Sequence, residues 1–146
     1  MRKKTIIYEG LGFPVKLINV PIRKEMGEEV LDIDKLLTTV LRFLIFKPNP
    51  LTGNQLKFIR KFLEMTTSDF AQAFGVTHPT VLRWEKGTKA INPTAEFCIR
   101  LYALQSVQNQ DLQKLCSEIT VEHLAATESE LDLPIEIDEE TLLMAG

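Results

Sequence analysis

The sequence contains few of the residues that build disulfide frameworks, metal sites or catalytic centres. It has 2 cysteines and 2 histidines among 146 residues, and Cys98 and Cys116 have neither metal-ligand spacing nor matching histidines. A disulfide framework or a zinc site is therefore not expected. Neither histidine has a nucleophile or carboxylate near it in a catalytic pattern, and there is no glycine-rich phosphate loop. We predict that the chain is not an enzyme and that it uses no metal and no cofactor.

Long apolar runs are also missing. The longest, residues 36–46, is interrupted by Thr38, Thr39 and Arg42, so it is too short and too polar to cross a bilayer. The basic N-terminus is not followed by an apolar segment of signal-peptide length. We therefore expect a cytoplasmic protein with no membrane partner.

Charge is distributed unevenly along the chain. The overall net charge of −3 combines a net charge of +6 in residues 1–104 with a net charge of −9 in residues 105–146. A basic body with an acidic tail indicates either two different partners or a tail that competes with a polyanion for the body.

The first third of the chain changes its hydrophobic period once. Residues 5–10 and 13–22 are rich in β-branched and aromatic residues and are separated by a glycine-containing turn, which predicts two strands. After Gly27 the apolar residues recur at helical spacing, with Leu37, Val40, Leu41 and Leu44 on one face and Asp34 as the expected N-cap. We predict a β-rich module over 1–34, followed by a connecting helix and a proline-rich linker over 35–50.

Four short helices are predicted in the next fifty residues, and each has a recognisable start. Gly75 and Gly87 stand where the second and third of these helices should end. The starts are a Thr52/Gln55 capping box, Thr66 with Asp69, Thr77 with Pro79, and Asn92 with Pro93. In the fourth helix, we expect Cys98 on the buried face. The short connection between the middle pair predicts a helix-turn-helix domain over 51–104, so the fold class is mainly α with a small β module.

The third of these helices has one apolar and one polar face. Val81 and Trp84 are three residues apart and are expected to point inward. Threonine and arginine can bind base edges in the major groove, and lysines and a helix N-terminus suit phosphates. A solvated polar face explains the spacing equally well, and His78 can also be an ordinary first-turn residue. The candidate DNA contacts on and after this helix are Thr77, His78, Thr80, Arg83, Lys86 and Lys89.

The stretch "LKFIRKFLEMTTSDFAQAFGVTHPTVLRWEKG", residues 56–87, closely resembles the XRE, or lambda-repressor-like, helix-turn-helix family. This resemblance implies sequence-specific binding to double-stranded DNA. It also implies a structural ion pair between Arg60 and Glu85. The family usually has glutamine where this chain has Thr67, and the resemblance adds Thr67 to the candidate DNA contacts.

The order of segments over residues 5–104 resembles the MqsA (YgiT-type) antitoxins, in which a β-rich module leads through a helix into an XRE-type domain. Arg23 and Met26 stand where that family has its second zinc-binding pair, and the first pair is absent, so no zinc is expected. The resemblance implies a bacterial antitoxin of a type II toxin-antitoxin system. Such a protein neutralises a small toxin encoded by an adjacent gene and represses its own operon.

Two further features are left open by the sequence. A stand-alone XRE-family regulator with no toxin partner is the alternative function, and both functions imply a homodimer on a symmetric operator. In the acidic segment 105–146, short helices are expected over 109–126, and residues 130–138 alternate like an edge strand. That tail is predicted to be solvated, to add to a sheet edge in a dimer mate or partner protein, or to shield the DNA-binding face.

Overall fold

A computed structural model describes residues 2–25, 28–30, 33–106 and 135–138 of the chain. Within these residues the protein is mainly helical, with five α-helices and four β-strands, as the predicted α+β class requires. The elements in chain order are β1 (Arg2–Tyr8), β2 (Val15–Glu25), β3 (Glu28–Val30), α1 (Ile33–Phe46), α2 (Gly53–Phe62), α3 (Thr67–Ala73), α4 (His78–Lys86), α5 (Pro93–Ser106) and β4 (Ile135–Asp138).

Strand β2 is the central element of a small sheet. β1 pairs with it antiparallel, from Tyr8 opposite Val15 to Arg2 opposite Ile22, which confirms the two predicted strands. β3 forms a short antiparallel ladder with the end of β2, and the sequence did not predict this strand. β4 pairs parallel with residues 15–18 of β2, although nearly 120 positions separate the two segments in sequence.

The strand predicted within the tail is present, but its partner in this structure is β2 of the same chain. Ile137 is fully buried opposite Leu17, and Glu136 lies opposite Lys16. The burial of the Ile137 side chain therefore contradicts the prediction of a solvated tail at residues 135–138, because this apolar side chain is removed from water. The remaining predictions for the tail, including helices over 109–126, lie outside the described residues.

Helix α1 confirms the predicted change of period but begins earlier than expected. Val40, Leu41 and Leu44 of the predicted apolar face are buried along it, whereas Leu37 is half-buried and Leu36 is buried instead. The prediction that Asp34 is its N-cap is wrong, because the helix begins at Ile33 and Asp34 lies inside the first turn. There its carbonyl oxygen accepts a hydrogen bond from the Thr38 hydroxyl over 3.0 Å.

The described residues form two compact units. One contains the sheet, including β4, with the first part of α1 to Leu41, and the other contains residues 42–106. The boundary lies inside α1 after Leu41, whereas the predicted segments 1–34 and 35–50 divide the chain within the first turn of that helix. Apolar side chains at Phe13, Val15, Leu17 and Ile137 are buried in the sheet unit.

The predicted helix starts are confirmed by their hydrogen bonds. Thr52 and Gln55 form the reciprocal capping box of α2, in which the Gln55 amide donates to the Thr52 hydroxyl and the Thr52 amide donates to the Gln55 side chain. Thr66 and Thr77 cap α3 and α4 with their hydroxyls. The Asn92 side chain accepts from two backbone amides at the start of α5. These caps satisfy amides that have no partner within the helix.

Helix α4 packs against both α2 and α3. Its end lies so close to the start of α2 that a Cβ atom on Gly53 would clash with the backbone carbonyl oxygens of Trp84 and Glu85. Gly87 ends α4 in the left-handed conformation, with φ of 76°, which glycine adopts without steric cost. Glycine at these two positions allows α4 to end against α2.

Helix α5 buries a different face from the one predicted. Cys98 is exposed, and Tyr102 is 45% exposed, so the prediction of a buried Cys98 thiol is wrong. The helix instead buries Ile99, Ala103 and Leu104 together with two charged residues, Glu96 and Arg100. The prediction chose the buried face of α5 from apolar spacing alone. It was wrong because α5 also buries the charged pair Glu96 and Arg100, which leaves Cys98 on the exposed face.

Candidate nucleic-acid interface

The two faces of α4 are divided as the sequence predicted. Val81 is fully buried and Trp84 is 1% exposed, and both lie among the buried side chains of the helical unit. His78 and Arg83 are exposed, while Thr80 is half-buried. The apolar face fixes the helix to its neighbours, so the opposite face is free to contact another molecule.

The polar side chains at the start of α4 form hydrogen bonds with one another. Thr67, the first residue of α3, is joined to His78, the first residue of α4, by a 2.7 Å bond between the hydroxyl oxygen and Nε2. Thr77 and Thr80 are joined by a 2.8 Å bond between their hydroxyl oxygens. The structure therefore brings together four of the seven predicted DNA-binding residues as two bonded pairs, a relationship that sequence spacing did not reveal.

The basic side chains predicted to contact DNA are Arg83, Lys86 and Lys89. All three are exposed, and the structure records no side-chain hydrogen bond or ion pair for them with any described residue. Their positive charges are therefore not neutralised by the described part of the chain. Exposed cations of this kind attract phosphate oxygens through sequence-independent electrostatics.

Arg60 and Glu85 are brought together in the geometry that the resemblance implied. Arg60 Nε lies 2.7 Å from one carboxylate oxygen of Glu85, and Nη2 lies 3.2 Å from the other. Arg60 Nη1 donates to the backbone oxygen of Met65 over 3.0 Å. Because the side chains are only 11% and 9% exposed, the bidentate pair ties α2 to the last turn of α4 from a largely buried position.

The sequence did not predict a second and deeper charged cluster in α5. The Arg100 guanidinium donates to the backbone oxygens of Ile45, Lys47 and Asn49 at 3.0, 2.6 and 2.8 Å, and it pairs with Glu96 over 2.8 Å. Glu96 also accepts from the Leu51 amide. Burial raises the pKa of Glu96, against the opposing attraction of Arg100, and burial also lowers the pKa of Arg100. The only sequence feature that points to this cluster is a glutamate followed four residues later by an arginine on a helix. This spacing is also common on exposed helices, so it does not indicate burial.

The described part of the chain contains no cluster of metal-binding side chains. Among those residues no group of three or more histidine, cysteine, aspartate or glutamate side chains could hold a metal ion. Arg23 lies in β2, while Met26, Cys116 and His123 fall outside the described residues. No helix in the ranges 33–106 is long and apolar enough to cross a membrane.

Comparison with known proteins adds no relative. No protein-family model matches the chain, and no curated protein and no solved structure match it. The candidate interface is therefore defined by its own geometry, which consists of a short helix with a buried apolar face, two bonded polar pairs at its start and three exposed cations along and after it.

Proposed function

We propose that the chain is a sequence-specific DNA-binding protein of the XRE helix-turn-helix type, with α4 as its recognition helix. The observation that carries this proposal is the division of α4, because Val81 and Trp84 anchor its buried face while His78 and Arg83 are exposed. A helix held in this way can place its N-terminal residues and one exposed arginine against base edges in the major groove.

The proposed contacts divide into base reading and backbone positioning. Arg83 reads a base, since an arginine side chain can form two hydrogen bonds with guanine. Lys86 and Lys89 bind phosphates. The bonded pair of Thr67 and His78 presents its remaining hydrogen-bonding capacity from the starts of α3 and α4, where the backbone amides of the first turn also favour an anion. Thr77 and Thr80 hold the first turn of α4 and supply hydroxyl groups beside it.

We further propose that the protein binds a symmetric operator as a homodimer and acts as a bacterial antitoxin that neutralises a small toxin encoded by an adjacent gene and represses their operon. Support for the antitoxin comes from the order of a β-rich module, a helix and a four-helix segment, which resembles the MqsA type. A stand-alone regulator remains the alternative, because the exposed face of α4 supports DNA binding by both kinds of protein.

The DNA proposal is tested by fluorescence anisotropy with DNA from the region upstream of the gene, at a salt concentration of about 0.15 M. We expect Arg83→Ala to weaken binding by about 1–3 kcal/mol and to relax preference at one base pair, because one bidentate contact is lost. Lys86→Ala is the matched control among the cations. It should weaken operator and scrambled DNA alike and reduce the slope of affinity against salt.

Unchanged operator affinity after Arg83→Ala would contradict α4 as the reading element. Equal affinity of the natural protein for operator and scrambled DNA would contradict sequence-specific binding as a whole.

To separate antitoxin from lone regulator, the chain is co-expressed with the product of the adjacent gene and the mixture is separated by size. A stoichiometric complex supports the antitoxin, as does relief by this chain of the growth arrest that the adjacent gene product causes. Separate elution supports the regulator.

A further inference from the structure

An open groove lies beside α4 within the helical unit. It has a volume of about 760 Å³ and is bounded by the end of α3, by α4, by residues 89–92 and by the start of α5. This volume falls within the range of about 300–1,000 Å³ that is usual for small-molecule sites. Its apolar lining is provided mainly by Phe74, Val76, Trp84, Ile91 and Pro93.

Trp84 is one of the residues that line this groove. The residue is 1% exposed, and its indole Nε1 has no hydrogen-bond partner among the described residues. Because this nitrogen is buried, a molecule in the groove contacts the indole ring and not the N–H, whose resonance still reports on the packing around the ring.

The formal charge of the groove lining is positive. None of its lining residues is acidic, and Lys89 contributes an exposed ammonium group. The Thr77 and Thr80 hydroxyls bond each other, and the Asn92 side-chain oxygen already accepts from the Thr94 and Ala95 amides. Lys89 is therefore the charged group that the lining presents, and its ammonium group complements an anion.

We propose that this groove binds a small molecule that has an apolar, ring-sized body and a carboxylate group. The body lies against the apolar lining around Phe74 and Ile91, and the carboxylate is held by the cationic side of the groove at Lys89. Three residues of the groove, Thr77, Thr80 and Lys89, are also proposed DNA contacts. Bound ligand therefore competes with DNA, a consequence that rests on the proposed function, whereas ligand binding itself does not.

The test uses ¹H–¹⁵N correlation spectra of the full chain. Trp84 is the only tryptophan, so its indole N–H gives one isolated resonance that reports on the groove directly. The probe is 2-naphthoate, and the matched control is 2-naphthylmethylammonium, which has the same ring system and the opposite charge. We expect 2-naphthoate to shift the Trp84 resonance saturably and to bind at least about tenfold more tightly than the cation.

Two pairs of variants locate the site. Cys98→Phe places a ring in the groove from an exposed position of α5 and should abolish the shift, whereas Gln105→Phe, exposed on the same helix outside the groove, should not. Lys89→Gln should weaken 2-naphthoate binding about tenfold because one charge-assisted hydrogen bond is lost. Lys61→Gln, which removes an exposed lysine of α2, should leave it unchanged.

A folded protein whose Trp84 resonance shows no saturable shift at millimolar 2-naphthoate would overturn the proposal. Equal affinity for the cationic probe would overturn the assigned ligand chemistry, and unaltered binding to Cys98→Phe would overturn the location. Competition is measured separately by adding 2-naphthoate to the anisotropy experiment, where we expect a lower DNA affinity in the natural protein. Failure to bind DNA at all would contradict the proposed function and leave the result for the groove intact.

Discussion

The two buried ion pairs of the helical unit differ in what they connect. Arg60 and Glu85 are 25 positions apart and join α2 to the end of α4, with 11% and 9% of their side chains exposed. Glu96 and Arg100 are one helical turn apart in α5, with 1% and 0% exposed. The first pair joins two helices. In the second pair, the Arg100 guanidinium also binds backbone oxygens of residues 45–49, which lie outside α5.

The difference follows from the chain segment that Arg100 contacts. Residues 47–50 include Pro48 and Pro50, which have no backbone N–H, and they follow the end of α1, where carbonyl oxygens have no partner within the helix. Arg100 supplies donors to three carbonyl oxygens of this region. The buried arginine thus donates hydrogen bonds to carbonyl oxygens at the end of α1 and in the proline-containing turn, and the Glu96 carboxylate balances its charge.

The largest expected effect follows from removing this arginine. Arg100→Met should lower the free energy of unfolding by about 3–5 kcal/mol, because Glu96 would remain buried without its cation and three carbonyl oxygens would lose their donors. The measurement is urea denaturation followed by circular dichroism.

The control for this variant is the double substitution Arg100→Met with Glu96→Gln. It removes the unpaired carboxylate but does not restore donors to the turn, so it should recover only part of the lost stability. Full recovery would show that charge balance alone accounts for the effect and that the contacts with residues 45–49 contribute nothing.

Local features of this unit were predictable from sequence, whereas the Arg100 cluster was not. The hydroxyls of Thr52, Thr66 and Thr77 bond amides three residues away, so the information lies within one short segment. Arg100 binds carbonyl oxygens 51–55 positions away, and every residue has a carbonyl oxygen, so no residue pattern identifies them. The same unrecognised cluster explains why the buried face of α5, and with it Cys98, was predicted wrongly.

Pairing across long distances limited the prediction in the sheet unit as well. The alternation of residues 130–138 indicated a strand, but it could not show that residues 15–18 of the same chain are its partner. At the candidate interface, sequence spacing correctly predicted a buried Trp84 and an exposed Arg83. It did not show that Thr67 and His78 are bonded, because that contact depends on how α3 and α4 meet.

The intermediate effect is expected at the pair of Arg60 and Glu85. Arg60→Met should cost about 2–3 kcal/mol, less than Arg100→Met, because water reaches part of this pair and only one backbone oxygen, that of Met65, loses its donor. The double variant with Glu85→Gln should recover most of this loss, since the unpaired carboxylate is then gone. Similar recovery in the Arg60 and Arg100 double variants would remove the distinction between the two pairs.

The smallest effect is expected at the exposed pair of the sheet unit. Lys16 Nζ and Glu136 Oε1 are 3.7 Å apart, and the side chains are 43% and 62% exposed. Glu136→Gln should change the free energy of unfolding by less than about 0.5 kcal/mol, because water screens both charges and each side chain loses mobility when it pairs. Ile137→Ala is the matched control one residue away, and it should cost about 2–5 kcal/mol because that side chain is fully buried. If Glu136→Gln destabilised the chain as strongly as Ile137→Ala, the ion pair rather than apolar burial would hold β4 against β2, and exposure would no longer rank the three pairs.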